Sequence, residues 1–264
     1  MKNLKRKEGR FTKSDEIINS MLSLVAPIVL IGLWEILSIK GIINPSIMPA
    51  PSRIFDTFKT MVANGELSKH LTVSVIRVVQ GFTIGSILGI ILGILMGLFD
   101  KINRICLILV GILRPIPIIA WVPMLILWMG IDDASKITVI AIGSFWPVLI
   151  NTIHGIKSTD EKYLEVSYIL EKSKIETLIK VVIPAALPSI FTGLRLGIGA
   201  AWMSVVAAEM IAAATGIGYL IMFARELSQP DVMLVGVFSI GVIGLVIDLS
   251  IVKIQSKLLG WNRG

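Results

Sequence analysis

Charge is what this chain has little of. Only 16% of its 264 residues are Asp, Glu, Lys or Arg, while 55% are hydrophobic and the mean hydropathy is +0.84. A soluble domain carries about 25% charged residues, so the composition is that of an integral membrane protein. Cysteine is nearly absent: Cys106 stands alone, which excludes an intrachain disulfide, a Cys-x-x-Cys redox pair and a cysteine zinc site, and leaves a small apolar packing residue. No Gly-x-x-x-x-Gly-Lys-[Ser/Thr] phosphate loop occurs, so the chain is not an ATP hydrolase by that machinery. A His-Glu-x-x-His zinc helix, a Gly-x-Ser-x-Gly elbow and paired intramembrane aspartates are missing too, which leaves the rival reading, an intramembrane enzyme, without a motif. An ion-driven carrier would show an internal repeat with interrupted helices in both halves, and none is visible. His70 and His154 fall at opposite ends of their spans, so no metal site is expected.

What is present is a series of apolar runs. Six spans are expected, roughly Met21–Ile39, Leu71–Phe99, Ile105–Met129, Ser135–Ile156, Ala185–Ala213 and Val232–Leu259. The first follows a basic stretch, MKNLKRKEGRFTK, but approaches the roughly 20 residues of a span and precedes Pro49-Ala50-Pro51, a poor cleavage context, so it is read as a retained helix and not a signal peptide. An even number of spans places both termini on one side. Sixteen Lys and Arg lie on that side, among them Lys2, Lys5, Arg6, Lys7, Arg10 and Lys13, against six on the other: Lys40, Arg53, Lys59, Lys69, Lys136 and Arg225. By the positive-inside rule the termini and the fourth–fifth loop are cytoplasmic. That dispersed pattern also accounts for the formal charge of +7 without nucleic acid, and no nucleic-acid partner is expected. The domain plan is a cytoplasmic basic tail over residues 1–20 and a membrane domain over 21–264, whose fourth–fifth loop, 157–183, is cytoplasmic.

Between the first two spans, PAPSRIFDTFKTMVANGE sets Ile54, Phe55, Phe58 and Met61 on one helical face, suited to lie on the outer membrane surface. The second span carries Gly81, Gly85, Gly89, Gly93 and Gly97, one every fourth residue, a stripe that lets another helix approach closely. The third, LRPIPIIAWVPMLILWMG, is interrupted by Pro115, Pro117 and Pro123. Such breaks persist where neighbours or a wet cavity satisfy the freed carbonyls, so Arg114, Pro115, Pro117 and Trp121 are candidate linings of a translocation path, with a kinked packing helix as the alternative. Arg77, Arg195 and Glu209 also lie deep in spans, where an ionised group costs roughly 2.5–3.5 kcal/mol and needs a partner or water. Arg195 and Glu209 are therefore further path candidates. Arg77 and Glu209 each sit roughly 6–9 Å from the outer ends of their spans, a depth that permits an ion pair. Glu35, beside Trp34, lies near enough to an outer end to snorkel.

The one long polar interval runs from Glu161 to Pro184. Tyr163, Val166 and Leu170 share one helical face; after Lys172, Ser173 and Lys174, the residues Ile175, Leu178, Ile179 and Val182 share another, so two short helices are expected, with Pro184 opening the next span. This interval resembles the coupling loop of ABC importer permeases, Glu-Ala-Ala, three residues, Gly, nine residues, Ile-x-Leu-Pro. Glu165-Val166-Ser167 stand for Glu-Ala-Ala, Glu171 stands where the family has Gly, and Val181-Val182-Ile183-Pro184 close the pattern. RPIPIIAWVPMLILWMG, ALPSIFTGLRLGIGAAWMSVVAAEM and GIGYLI at Gly216–Ile221 look like the corresponding stretches of the nitrate, sulfonate and taurine branch. The resemblance implies an all-α, six-span type I importer fold with cytoplasmic coupling helices, a permease homodimer, a separate ATPase that binds the ATP and an external substrate-binding protein. It assigns Glu165, Ser167, Glu171, Ser173, Leu178 and Pro184 to ATPase coupling. No cofactor or metal is expected in this chain. The substrate would be a small anion such as a sulfonate, taurine or nitrate, or alternatively a vitamin or vitamin precursor of the riboflavin or thiamine-precursor type.

Overall fold

The computed structural model describes the backbone of residues 13–258 and the side chains of residues 25–257. The basic residues Lys2, Lys5, Arg6, Lys7, Arg10 and Arg263 lie outside the described residues. The apolar runs form helices because in hydrocarbon each backbone N–H and C=O must be satisfied within the protein, and a helix does so inside one segment. In chain order they are α1 (Lys13–Ile39), α2 (Pro51–Ala63), α3 (Glu66–Leu98), α4 (Asp100–Leu113), α5 (Ile118–Met129), α6 (Asp133–Lys157), α7 (Glu161–Ile169), α8 (Lys174–Thr177), α9 (Ile183–Ala212), α10 (Ile217–Glu226) and α11 (Pro230–Leu258). No strand occurs among the described residues.

Four of the six expected spans are single helices long and apolar enough to cross a membrane: Glu66–Leu98, Asp133–Lys157, Lys174–Ala212 and Pro230–Lys257. The expected third span differs. It begins earlier, at Asp100, and is two helices, α4 and α5, bent by 97° at the break that holds Pro115 and Pro117. Pro123 lies inside α5 without interrupting it. In the expected first span, Val25–Ile39 forms a shorter apolar helix.

The segment between the first two spans is helical, as α2, but it is not simply laid on a surface. Ile54 and Met61 are buried with Leu67, Ile217, Leu220 and Val235, while Phe55 and Phe58 remain exposed. Glu35 does not merely reach for the interface: its Oε2 accepts from the Ser52 N–H at 3.0 Å, which satisfies one of the free donors at the start of α2.

Helix α6 is the axis of the bundle, flanked by α3 and α9 along most of its length. The glycine stripe of α3 is one reason. A Cβ on Gly81 would fall 2.6 Å from Ile140 Cβ, on Gly93 2.6 Å from Thr152 Cβ and on Gly97 2.7 Å from Ile156 Cβ, and on Gly85 it would strike the Ala141 carbonyl and Ser144. The α6–α9 seam repeats the device: a Cβ on Gly193 would be 2.8 Å from Asn151 Cβ, and on Gly197 2.9 Å from Val148 Cγ2. Lipid offers no hydrophobic drive for helix association, so close backbone approach and dispersion do the holding. Between α9 and α11 the contacts are polar as well. Trp202 Nε1 donates to the Ile240 carbonyl at 3.0 Å, and Arg195 forms a two-pronged ion pair with Asp248 at 2.8 and 2.9 Å.

At the end away from α7, the helices converge on a buried carboxylate. Glu209 of α9 is 1% exposed. It accepts from Arg77 Nη1 at 2.8 Å, from the Ser74 hydroxyl at 2.8 Å and from the Gly218 N–H at 3.0 Å. Arg77 also donates to the Thr215 carbonyl at 2.7 Å and, through Nε and Nη2, to Asp133 at 3.0 and 2.6 Å. Ser74 accepts from the Ile217 N–H at 2.9 Å and His70 Nδ1 from the Gly216 N–H at 3.1 Å. The expected Arg77–Glu209 pair is thus present, within a wider network that binds α3, α6, α9 and α10. Gly216 is required for it: its φ is +116°, and a Cβ there would overlap the Glu209 carboxylate.

Removing one member of a desolvated pair costs about 3–5 kcal/mol because the other charge stays buried. Arg77→Met and Glu209→Leu should each lower the melting temperature in detergent strongly, and the double variant should melt above either single one, since its remaining acidic partner, Asp133, is 63% exposed in its side chain and can be hydrated. Simple addition of the two effects would mean that the residues are not coupled.

Candidate functional site

The polar interval between α6 and α9 builds a projecting unit. Asp160 opens α7 by accepting from the Lys162 N–H at 2.9 Å, and Ser173 opens α8 by accepting from the Glu176 N–H at 3.2 Å, each filling the place of a missing intrahelical acceptor. The turn between them ends α7 in a paired pattern: Lys172 N–H donates to the Ser167 carbonyl and Glu171 N–H to the Tyr168 carbonyl, both at 3.0 Å. That closure needs a left-handed residue, and Glu171 supplies it with φ +52°. The position where the resemblance expects Gly is therefore the one where the backbone demands a conformation natural to Gly.

The second expected helix is not independent. α8 runs through a π turn, Leu178–Val182, into α9, so that Lys174–Ala212 is one continuous helix. Pro184 does not open a new segment: it has no N–H to donate and its ring crowds the preceding turn, and a widened turn before it, with Ile183 N–H bonded to the Leu178 carbonyl, carries the helix past. Leu178 and Val182 are drawn into a core cluster with Ile156, Ala186 and Ile190. Leu178 thus roots the loop and is half-buried, whereas Glu165, Glu171, Ser173 and Pro184 are exposed and Ser167 is buried, its hydroxyl donating to the Tyr163 carbonyl. Glu176 is bracketed by Lys180 at 3.0 Å and Lys172 at 3.8 Å. Around these lie unpartnered apolar side chains: Tyr168 is 86% exposed, Ile169 76% and Ile175 70%, with Tyr163, Val166, Leu170 and Ile179 beside them. Exposed apolar side chains grouped on a polar projection are of the kind that a partner or a membrane surface covers.

A second feature is a recess of about 750 Å³ among the α4–α5 break, α6 and α9. Arg114, Ile116 and Ile118 line it from the break, Gly143, Trp146 and Asn151 from α6, and Gly199, Met203 and Ser204 from α9. Of the residues expected along a path, Arg114 lines the recess and Pro115 and Pro117 flank the lining residue Ile116. The other three do not line it. Trp121 packs with Val122, Leu125, Val139 and Ala208, Arg195 is engaged by Asp248, and Glu209 is sealed in the network described above. Asp248, Asp133, Ser74 and the α6–α9 seam escaped sequence reasoning. The Gly193-x-x-x-Gly197 spacing was the available signal for the seam.

Residues 85–259 match the family described as binding-protein-dependent transport system inner membrane component. The putative aliphatic sulfonates transport permease protein SsuC of Bacillus subtilis is 39% identical over 243 residues, covering 92% of this chain and 88% of that protein. The bicarbonate transport system permease protein CmpB of Synechococcus elongatus is 34% identical over 239 residues, covering 86% and 85%. Among solved structures, an amino acid ABC transporter aligns with a TM-score of 0.60 over 76% of this chain and 96% of that one, at 18% identity, a likeness of fold.

The strained turn provides a local test. A residue with a Cβ in the left-handed region costs roughly 1–2 kcal/mol, more than the roughly 0.5–1 kcal/mol of extra chain entropy that Gly loses on folding. Glu171→Gly should therefore slow hydrogen exchange at the Lys172 amide by a few-fold. Faster exchange would show that the Glu171 side chain itself stabilises the turn.

Proposed function

Because this chain belongs to the family of binding-protein-dependent transport system inner membrane components, we propose that it is the permease subunit of an ABC importer that conducts a small oxyanion through the recess between the α4–α5 break, α6 and α9. As a member of that family it is a multi-pass membrane protein and a non-catalytic transport subunit. The family implies an ATPase and a substrate-binding protein as partners. On this reading α7 and the turn at Glu171–Ser173 dock the ATPase, ATP is bound by that partner, the loop and both termini face the cytoplasm, in keeping with the sixteen-to-six distribution of Lys and Arg, and two copies of the chain form the path.

The observation that carries the reading is the union of the projecting loop and the recess on one pair of helices. α6 enters the loop and the Lys174–Ala212 helix leaves it, and the same two helices supply most of the recess wall. A push on the exposed apolar face of α7 is transmitted through Leu178 and the π turn to helices locked together by small residues, and a rigid pair moves as a body instead of deforming. Oxyanion cargo is supported by the relatives: a sulfonate and bicarbonate share a compact, singly charged oxygen cluster.

Gly199 offers a test. It lines the recess, and a Cβ added there meets nothing within 4 Å, so a large side chain fills the space without disturbing a packed seam. Gly199→Phe, reconstituted with its ATPase and binding protein, should lose most substrate uptake while its melting temperature and its association with the ATPase are retained. Undiminished uptake would remove the recess from the path.

A further inference from the structure

Three guanidinium groups lie well inside the crossing segments, beyond Arg104 in the first turns of α4, and two of the three are already engaged. Arg77 is held by Glu209, Asp133 and Thr215, and Arg195 by both oxygens of Asp248. Arg114 is different: among the described residues it makes no ion pair, and its side chain makes no hydrogen bond. It is exposed, and it is the one charged residue lining the recess. Resting on the oxyanion-importer reading above, we propose that Arg114 is the selectivity charge of the translocation path, the group that an anion meets and hydrogen-bonds as it crosses the recess.

The chemistry of the lining favours Arg114 over its neighbours. Asn151 Nδ2 donates to the Pro147 carbonyl at 2.8 Å and the Ser204 hydroxyl to the Ala200 carbonyl at 2.7 Å, so both polar side chains are turned toward their own helices. The Arg114 guanidinium retains all five N–H donors, in a planar fork that matches two oxygens of a sulfonate or a bicarbonate. The backbone fixes it there. Arg114 ends α4 with helical φ and ψ, its N–H bonded to the Val110 carbonyl, and Pro115 and Pro117 prevent α4 from continuing into α5. Ile118, the first residue of α5, lines the same space, so the positive end of that helix lies at the recess too. At about 750 Å³ the recess is within the usual range of ligand pockets, about 300–1,000 Å³. No other charged side chain lines the recess, so no fixed charge offsets that of Arg114.

The test uses the whole transporter, the chain with its ATPase and binding protein, in proteoliposomes, with labelled ethanesulfonate as the probe. Arg114→Gln should lower uptake by about tenfold or more, the loss of one charge-assisted contact, and Arg114→Lys should lie between Gln and the natural residue. A second pair leaves Arg114 in place. Gly199→Asp sets a carboxylate in the recess to compete for the guanidinium, and Gly199→Asn is its neutral isostere; both side chains enter open space. Asp should depress uptake about tenfold further than Asn. An assembled Arg114→Gln transporter with undiminished uptake, or equal uptake by the Gly199→Asp and Gly199→Asn forms, overturns the role of Arg114 and leaves the importer reading standing. An unaltered, assembled transporter that takes up neither ethanesulfonate nor bicarbonate overturns the oxyanion reading itself, and the proposal with it.

Discussion

A carboxylate sealed from solvent dictates how one end of the bundle is built. Glu209 is accommodated at 1% exposure because a guanidinium, a hydroxyl and a backbone N–H converge on it, and a partly satisfied network of this kind would be worse than an apolar core. The requirement extends outward. Arg77 brings Asp133 at the start of α6, Ser74 brings the first turn of α10, and Gly216 must lack a side chain so that the turn can approach. Four helices are thereby fixed in register at the end where α9 turns into α10. From there the small-residue seams on both sides of α6 continue the same tight spacing toward the loop.

The consequence for transport is mechanical. The loop and the recess are served by the same helix pair, and that pair is pinned at one end by charge and along its length by glycine contacts. Motion imposed at α7 has few ways to dissipate before it reaches the recess. The α4–α5 break stands outside that rigid unit. It has no buried residue in α4, it turns by 97°, and it presents Arg114 to the space that α6 and α9 enclose. A recess walled by a rigid pair on one side and, on the other, by the bend that ends an α4 with no buried residue has room to change width without unfolding either.

The sequence made much of this legible and for definable reasons. Apolar length located the main spans, four-residue glycine spacing located the α3 seam, and equal depth paired Arg77 with Glu209. Depth would also have paired Arg195 with Asp248: they lie 17 and 18 residues from the α9 and α11 ends at the same side of the bundle, about 26 Å along each helix. Asp248 passed unnoticed inside a strongly apolar run. Much of the network around Glu209 was beyond reach, because the Gly218 amide on the carboxylate, the Ile217 amide on Ser74 and the Thr215 carbonyl on Arg77 belong to the backbone and carry no side-chain signal. Pro184 misled, since a proline in a first turn and a proline behind a π turn read the same locally. At Glu171 the departure from the family's Gly marked a left-handed backbone correctly, because turn geometry constrains φ whichever side chain is present.

If the recess is a passage driven by the ATPase, the side from which it is reached follows the nucleotide state of that partner. Met203 lines it and is 75% exposed, so a cysteine at that position, in a Cys106→Ser chain assembled with its ATPase and binding protein, reports on it directly. A small membrane-impermeant thiol reagent should label Met203→Cys from one side of the membrane in the nucleotide-free complex and from the other when ATP is trapped in the ATPase. Labelling from the same side at the same rate in both states would mean that the recess does not alternate between the two faces of the membrane.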